Sequence, residues 1–243
     1  MKKDRIHFGC SSFSNGYWKG IFYPEDLPRK EWFAYYCQFF NTYEINATFY
    51  RFPTLKSLQA WHNKTPDYFI FSVKAPKIIT HLKKFVDAKQ EINAFYEICN
   101  EGLDKKLGPI LFQLPPSYDF SEEKLTLIMD SLNPEFENIV EFRNQSWWNP
   151  QVYEAFSKNN IVFCSVSYPN LSNEIIVTNG KAYVRLHGDK RLFYSSYDDA
   201  VLEDMYRQLR DVDKLEKAYV YFNNTAGTAG ILNALSLKKI IKS

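Results

Sequence analysis

The sequence predicts an α/β protein of the (β/α)8 TIM-barrel class. Three observations carry that expectation: apolar strand-like runs alternate with helix-period segments, the chain has 243 residues, and polar side chains recur where the apolar runs end. Alternating strand and helix signals are the pattern of parallel α/β folds. A barrel of roughly 250 residues is a single-domain solution, so residues 1–243 are read as one domain. An open doubly wound sheet is the competing architecture. Against its use for nucleotides, the chain has neither a G-x-G-x-x-G nor a Walker lysine motif.

The elements follow in order. The first strand is Ile6–Cys10, with a helix near Lys30–Phe40; the second is Thr42–Ile45, with a helix near Leu55–Lys64. Tyr68–Val73 forms the third strand and, after a long connection, Ala88–Leu103 its helix. Ile110–Gln113 is the fourth, followed by Ser121-Glu122-Glu123-Lys124, where Ser121 reads as an N-cap. The fifth pair is Ile139–Glu141 with a short helix near Val152–Lys158, and the sixth strand is Ile161–Val166. Pro169 to Gly180 is the least regular stretch, so the sixth βα unit is expected to be irregular, with a short hairpin replacing its helix. Ala182–Leu186 and Ala218–Phe222 are the last strands, followed by helices near Asp198–Asp211 and Ala229–Ile240.

Composition narrows the function classes. With 30 Lys+Arg against 28 Asp+Glu, the net charge of +2 speaks against a chain-wide polyanion surface and leaves room only for a local basic patch. Cys10, Cys37, Cys99 and Cys164 lie far apart, with no C-x-x-C pair, and fit neither a zinc site nor a disulfide framework. No apolar run approaches the ~20 residues of a membrane span. The stretch Met1-Lys2-Lys3-Asp4-Arg5-Ile6 has no apolar signal core, and the expected compartment is the reducing cytoplasm. The aromatic share of 17% is high and demands either thick packing layers or a stacking surface.

In a (β/α)8 barrel the C-terminal strand ends and their loops line one shared cup, so polar residues there read as functional. Glu44 and Asn46 close the second strand two residues apart, which points them the same way. Lys74 closes the third, with Thr80-His81 in its loop; Gln113 closes the fourth; Glu141 and Arg143 close the fifth. Arg185 and His187 close the seventh, and Asn223-Asn224 the eighth. Glu44 and Glu141, with His187 third, are the candidates for acid–base catalysis. Asn46, Lys74, His81, Gln113, Arg143, Arg185, Asn223, Asn224 and Gly227 are the candidates for ligand binding. A planar guanidinium suits bidentate capture of carboxylate or phosphate. The run Asn223-Asn224-Thr225-Ala226-Gly227-Thr228-Ala229-Gly230 leads into the last helix, whose N-terminus offers N–H groups and a favourable dipole to an anion.

The competing account is a structural ion-pair lattice, with Glu141 neutralising Arg143 or Arg185 and Glu44 neutralising Lys74. Cys10 reads as a buried inert thiol, and His7 and His62 as structural. With four histidines in the chain, a multinuclear His-rich metal centre is poorly supported; no cofactor is evident, and a single Glu/His-bound divalent metal stays open. Tyr17-Trp18, Phe22-Tyr23, Phe49-Tyr50 and Trp147-Trp148 fall in loops after strands, where they either stack on a ligand or pack onto the barrel rim.

The same residues resemble the YecE-like family, also known as domain of unknown function seventy-two. The blocks are Gly9-Cys10-Ser11-Ser12 with Tyr17-Trp18-Lys19-Gly20, Glu44-Ile45-Asn46-Ala47-Thr48-Phe49-Tyr50-Arg51, and Phe71-Ser72-Val73-Lys74 with Thr80-His81. Further blocks are Leu111-Phe112-Gln113-Leu114-Pro115-Pro116, Glu141-Phe142-Arg143 with Ser146-Trp147, Tyr183-Val184-Arg185-Leu186-His187-Gly188, and Tyr221-Phe222-Asn223-Asn224 with Asn233-Ala234. The resemblance implies a TIM barrel and no established activity. Its likeness to sugar isomerases and an apurinic-site endonuclease is a fold-level analogy. Relatives often carry an acid near the end of the sixth strand, where this chain has Ser165, Ser167 and Tyr168. A reaction relying on that acid would not carry over here.

Function is therefore expected to be enzymatic, hydrolase- or isomerase-like, on a small anionic (phosphorylated or carboxylated) or sugar-like ligand. A nucleic-acid-binding or repair-type barrel and a non-catalytic ligand-binding barrel are the alternatives.

Overall fold

The computed structural model describes residues 5–242; the Met1–Asp4 stretch read above as lacking a signal core lies outside the described residues. The strands are β1 (Ile6–Cys10), β2 (Thr42–Ile45), β3 (Ile70–Lys74), β4 (Leu107–Gln113), β5 (Asn138–Glu141), β6 (Ile161–Ser167), β7 (Lys181–Leu186) and β8 (Lys217–Phe222). The α-helices are α1 (Trp32–Tyr36), α2 (Ala47–Tyr50), α3 (Leu55–Asn63), α4 (Lys89–Leu103), α5 (Glu122–Ser131), α6 (Pro150–Lys158), α7 (Asp199–Asp211) and α8 (Ala229–Lys242). The strands run in the sheet order β1-β8-β7-β6-β5-β4-β3-β2. Parallel strands alternating with helices in this order are the (β/α)8 class that the sequence predicts.

Backbone contacts divide the chain into two compact units, Met1–Glu44 with Ser165–Ile175 and Gly180–Ser243, and Ile45–Cys164 with Ile176–Asn179. In the first, β8 pairs in parallel with β1 (Cys10 beside Phe222) and with β7 (Arg185 beside Tyr221). An aromatic cluster packs against β1, with Tyr23 stacked on Trp32 at 4.5 Å and Trp18 fully buried. The Tyr36 hydroxyl accepts from Cys10 N at 2.7 Å and donates to Thr42 O at 3.0 Å. Gly9 leaves the space for that bridge. A Cβ there would stand 2.3 Å from Thr42 O and 2.6 Å from Tyr36 Oη. Gly9→Ala is expected to destabilise the protein by about 1–3 kcal/mol, the range for overpacked cores. Urea unfolding at unchanged m-value would measure it, and an unshifted midpoint would show that the backbone yields instead.

In the second unit, β4 lies between β3 and β5, with Gln113 beside Glu141 and Lys74 beside Leu111; β5 continues to β6 through Val140 and Phe163. Buried residues on both faces of these strands are typical of parallel sheets. Caps set the helix starts: Thr54 and Ser57 form a capping box on α3, Ser121 accepts from Lys124 N, and Asn149 precedes Pro150 at the first turn of α6. Trp147 stacks on Phe142 at 3.9 Å and on Tyr118 at 5.7 Å, fully buried. The aromatic share is thus largely packing, while Tyr17 and Tyr50 remain exposed.

Four sequence expectations change, the plainest being that the fourth strand begins at Leu107 rather than Ile110. The third strand begins at Ile70 rather than Tyr68, because Phe69 N closes a turn onto Pro66 O. The helix expected near Lys30–Phe40 is a 3-10 turn, Arg29–Glu31, continuing into the short α1. The Pro169–Gly180 stretch forms no hairpin; the sixth unit is irregular because β6 is joined to β7 by an extended segment without a helix. Pro169, three asparagines and the β-branched run Ile175-Ile176-Val177-Thr178 disfavour a helix there. Thr178 Oγ1 anchors that segment, accepting from Phe163 N and donating to Ile161 O, both at 3.0 Å.

Candidate functional site

The predicted site residues are divided between the two units. The second unit holds Asn46, Lys74, His81, Gln113, Glu141 and Arg143. Because Gln113 and Glu141 are register partners at the ends of β4 and β5, their side chains emerge at the same level. Lys74 Nζ donates to Gln113 Oε1 at 2.8 Å, and Gln113 Nε2 donates to Leu114 O at 2.8 Å. The Lys74 ammonium also sits 4.3 Å from the centre of the Phe49 ring, against which His81 packs edge-on at 4.9 Å. Thr48 Oγ1 donates to Lys74 O at 2.6 Å and ties α2 to the end of β3. Asn46 caps α2 by position but makes no side-chain capping bond.

His81 lies in a π-helical turn, Ile78–Leu82, an uncommon geometry often found at functional sites. Its Nδ1 is 2.9 Å from Thr80 Oγ1. Partial burial holds its pKa below the usual histidine range, and the positive charges of Lys74, Lys84 and Arg143 lower it further, with Glu141 opposing them. Burial and neighbouring positive charge therefore both work against the protonated form of His81. Fully buried Glu141 pairs through Oε1 with Arg143 Nη2, and Cys164 Sγ lies 3.9 Å from Glu141 Oε2.

The first unit holds Glu44, Arg185, His187, Asn223, Asn224 and Gly227. Period two on β7 puts Tyr183, Arg185 and His187 on one face. Arg185 Nη2 donates to Glu44 Oε1 at 2.6 Å and its Nε to Oε2 at 3.0 Å, while Tyr183 Oη donates to the same Oε2 at 2.7 Å. Arg185 is 2% exposed and Glu44 0%, so the fork expected to capture a ligand anion is occupied by an internal carboxylate. His187 Nδ1 is 3.2 Å from Asn223 Oδ1, and Asn223 Nδ2 donates to Ser11 Oγ at 2.7 Å. Tyr168 and Phe193 stand edge-on to the His187 ring at 5.8 and 6.1 Å.

The last loop is built differently from the anion cradle expected of it. Gly227 O accepts from Trp18 Nε1 at 2.8 Å and Asn15 Nδ2 at 3.2 Å, and Gly230 N, one of the helix-terminal donors, is taken by Asn224 O at 3.0 Å. Asn224 Nδ2 donates to Ser195 O and to Asn233 Oδ1. Asn233 accepts Tyr197 N at 3.0 Å and donates to Tyr197 O at 2.7 Å, locking the loop after β7 onto α8. Asn233→Ala is expected to cost about 2–4 kcal/mol by stranding these buried backbone groups. Hydrogen exchange would show the Tyr197 amide losing protection. Unchanged exchange would mean the loop is held elsewhere.

Cys10 is buried, and burial pushes its thiol far up, which leaves it protonated and inert as expected. Among the described residues no group of three or more His, Cys, Asp or Glu side chains is placed to hold a metal ion, and no helix is long and apolar enough to cross a membrane. Sequence reasoning missed Tyr183, which reads as one more apolar strand residue, and Lys84, which reads as ordinary loop charge. Only the pairing of Arg185 and Tyr183 with one carboxylate, and the charge field at His81, reveal them.

Known proteins give a consistent picture. The chain resembles the UPF0759 protein YunF of Bacillus subtilis strain 168, with 28% identity over 84% of each chain. Its fold matches the crystal structure of a DUF72 family protein from Thermotoga maritima MSB8 at TM-score 0.86 and 28% identity, covering 98% of this chain and 100% of that one. A DUF72 family protein from Enterococcus faecalis V583 matches at TM-score 0.83 and 19% identity over 98% of this chain and 96% of that one, a likeness of fold alone. Residues 7–243 match the family described as protein of unknown function DUF72. The chain belongs to that family, which is the YecE-like family its sequence blocks resemble.

Proposed function

We propose that the protein is an enzyme acting on a small anionic ligand, a phosphorylated or carboxylated molecule of sugar-like size, bound at the strand ends of the second unit. One observation carries this reading: beyond the effect of its burial, the His81 imidazole feels the positive charges of Lys74, Lys84 and Arg143, opposed by the carboxylate of Glu141. An uneven field of this kind favours an incoming anion. Arg143 supplies a planar donor, Lys74 a compact charge held by Gln113 and Phe49, and Gln113 further polarity. Neutral His81 and buried Glu141 are the proton-transfer groups, since an imidazole kept unprotonated near neutral pH is ready to accept a proton. A hydrolase- or isomerase-type proton transfer is the chemistry such a pair supports.

Inorganic phosphate is the probe. By linkage, an anion beside His81 raises the pKa that the cations lower, so phosphate binds more tightly as pH falls through the His81 titration. Titrating the His81 ring by NMR, with and without phosphate, is expected to show a midpoint below the usual range that moves upward on saturation. A midpoint indifferent to phosphate would overturn the proposal. Stability runs the opposite way to phosphate affinity: with its pKa lowered in the folded state, His81 binds fewer protons there than in the unfolded chain, so this group's contribution declines as pH falls from the unfolded pKa to the folded one.

A further inference from the structure

The helix missing between β6 and β7 leaves a mark in the first unit. Val184 and Leu186 alternate with Tyr183 and Arg185 and point to the opposite face of β7. That face, with Val166 of β6, is covered by Leu202 and Met205 of α7 and by Ile175 of the extended segment. The cover is incomplete, and a cavity of about 270 Å3 remains. This volume falls just short of the about 300–1,000 Å3 of drug-sized ligand sites and sets the scale of an occupant.

The lining has a definite polarity. Its floor is aliphatic and thioether surface, and Ser167 and Tyr197, joined through their hydroxyls, are among its polar lining residues. Tyr197 Oη is fixed there, accepting from Gly188 N at 2.7 Å and donating to Ser167 Oγ at 2.8 Å. Asp189 and Asp204 are the charged residues of the lining, which includes no Lys, Arg or His. Asp204 is shared with Arg207 and Gln208, whereas exposed Asp189, at the end of the β7 strand–loop junction, accepts the Lys190 backbone N–H at 2.7 Å. An inorganic cation would have to leave water for an apolar wall, and an anion would meet two carboxylates. An apolar body with a positive head satisfies both ends.

We propose that this cavity is a binding site for a small organic cation, a primary amine with an apolar body of about six carbons. The body lies over Val166, Val184, Leu202 and Met205, and the ammonium pairs with Asp189. The site is separate from the anion reading of the second unit and stands or falls without it.

Hexylammonium, hexan-1-ol and heptanoate share a chain and differ in their heads. Titrated into the full chain by calorimetry and methyl NMR, hexylammonium is expected to saturate and to shift the Val184, Leu202 and Met205 methyls, with heptanoate at least tenfold weaker. Asp189→Asn, on an exposed loop, is expected to reduce the preference for hexylammonium over hexan-1-ol about fivefold or more. Val166→Phe is expected to fill the cavity and abolish binding; should that variant not fold, the Asp189→Asn comparison still decides. Equal affinity for heptanoate, unperturbed methyls or an unchanged cation preference in Asp189→Asn would each overturn the proposal.

Discussion

Glu44→Ala is expected to lower the unfolding free energy by about 3–5 kcal/mol, the cost of breaking a buried ion pair by removing one partner. The carboxylate is fully buried and takes two bonds from Arg185 and one from Tyr183, so truncation strands a guanidinium that is 2% exposed. At this chain length each kcal/mol is worth roughly 2–4 °C, so the midpoint should fall by about 6–20 °C. Glu44→Gln keeps an acceptor but not the charge and should fall between. Replacing both partners with apolar residues, Glu44→Leu with Arg185→Met, should recover most of the loss, because two desolvated charges leave together. Thermal and urea unfolding of the three variants measures this. If Glu44→Ala stays within 1 kcal/mol of the parent while ligand turnover vanishes, Glu44 is catalytic and the structural account fails.

Arg143→Ala should act on both binding and stability. Charge-assisted hydrogen bonds to an anion are worth about 1.5–3 kcal/mol, so phosphate affinity is expected to drop roughly 10- to 150-fold. The same truncation leaves fully buried Glu141 without its guanidinium, and the fold should weaken by an amount of the order found for Glu44. Arg143→Lys separates the two effects. It keeps the charge beside Glu141 and most of the stability, but it lacks the planar fork and should still bind phosphate about tenfold more weakly. Calorimetry well below the unfolding temperature reads the affinity directly. Phosphate binding unchanged in both variants would remove Arg143 from the proposed site.

The two arginines illustrate how far sequence reaches. Each ends a strand, each is two residues from another polar group, and the same logic assigns both to a ligand anion. The structure separates them by partner and exposure: Arg185 is forked onto Glu44 at 2% exposure, whereas Arg143 keeps 8% beside Glu141. Sequence spacing gives the direction of a side chain along its own strand, not the partner supplied by a strand far away in the chain. Glu44 and Arg185 meet across 141 positions, and no local pattern encodes that meeting.

By itself the sequence determined the fold class, the order of the elements, the helix cap at Ser121, and the family, because these rest on local periodicity, capping chemistry and ordered blocks. It also located the break in the sixth unit, where Pro169 and the β-branched run oppose a helix. Tertiary structure alone decided which carboxylate each arginine holds, that the charges of Lys74, Lys84 and Arg143 bear on His81, and that Asp189 borders a cavity beside the segment between β6 and β7. The reason is physical: burial and Coulomb terms depend on distances in space, and those are fixed only when strands distant in sequence are brought side by side.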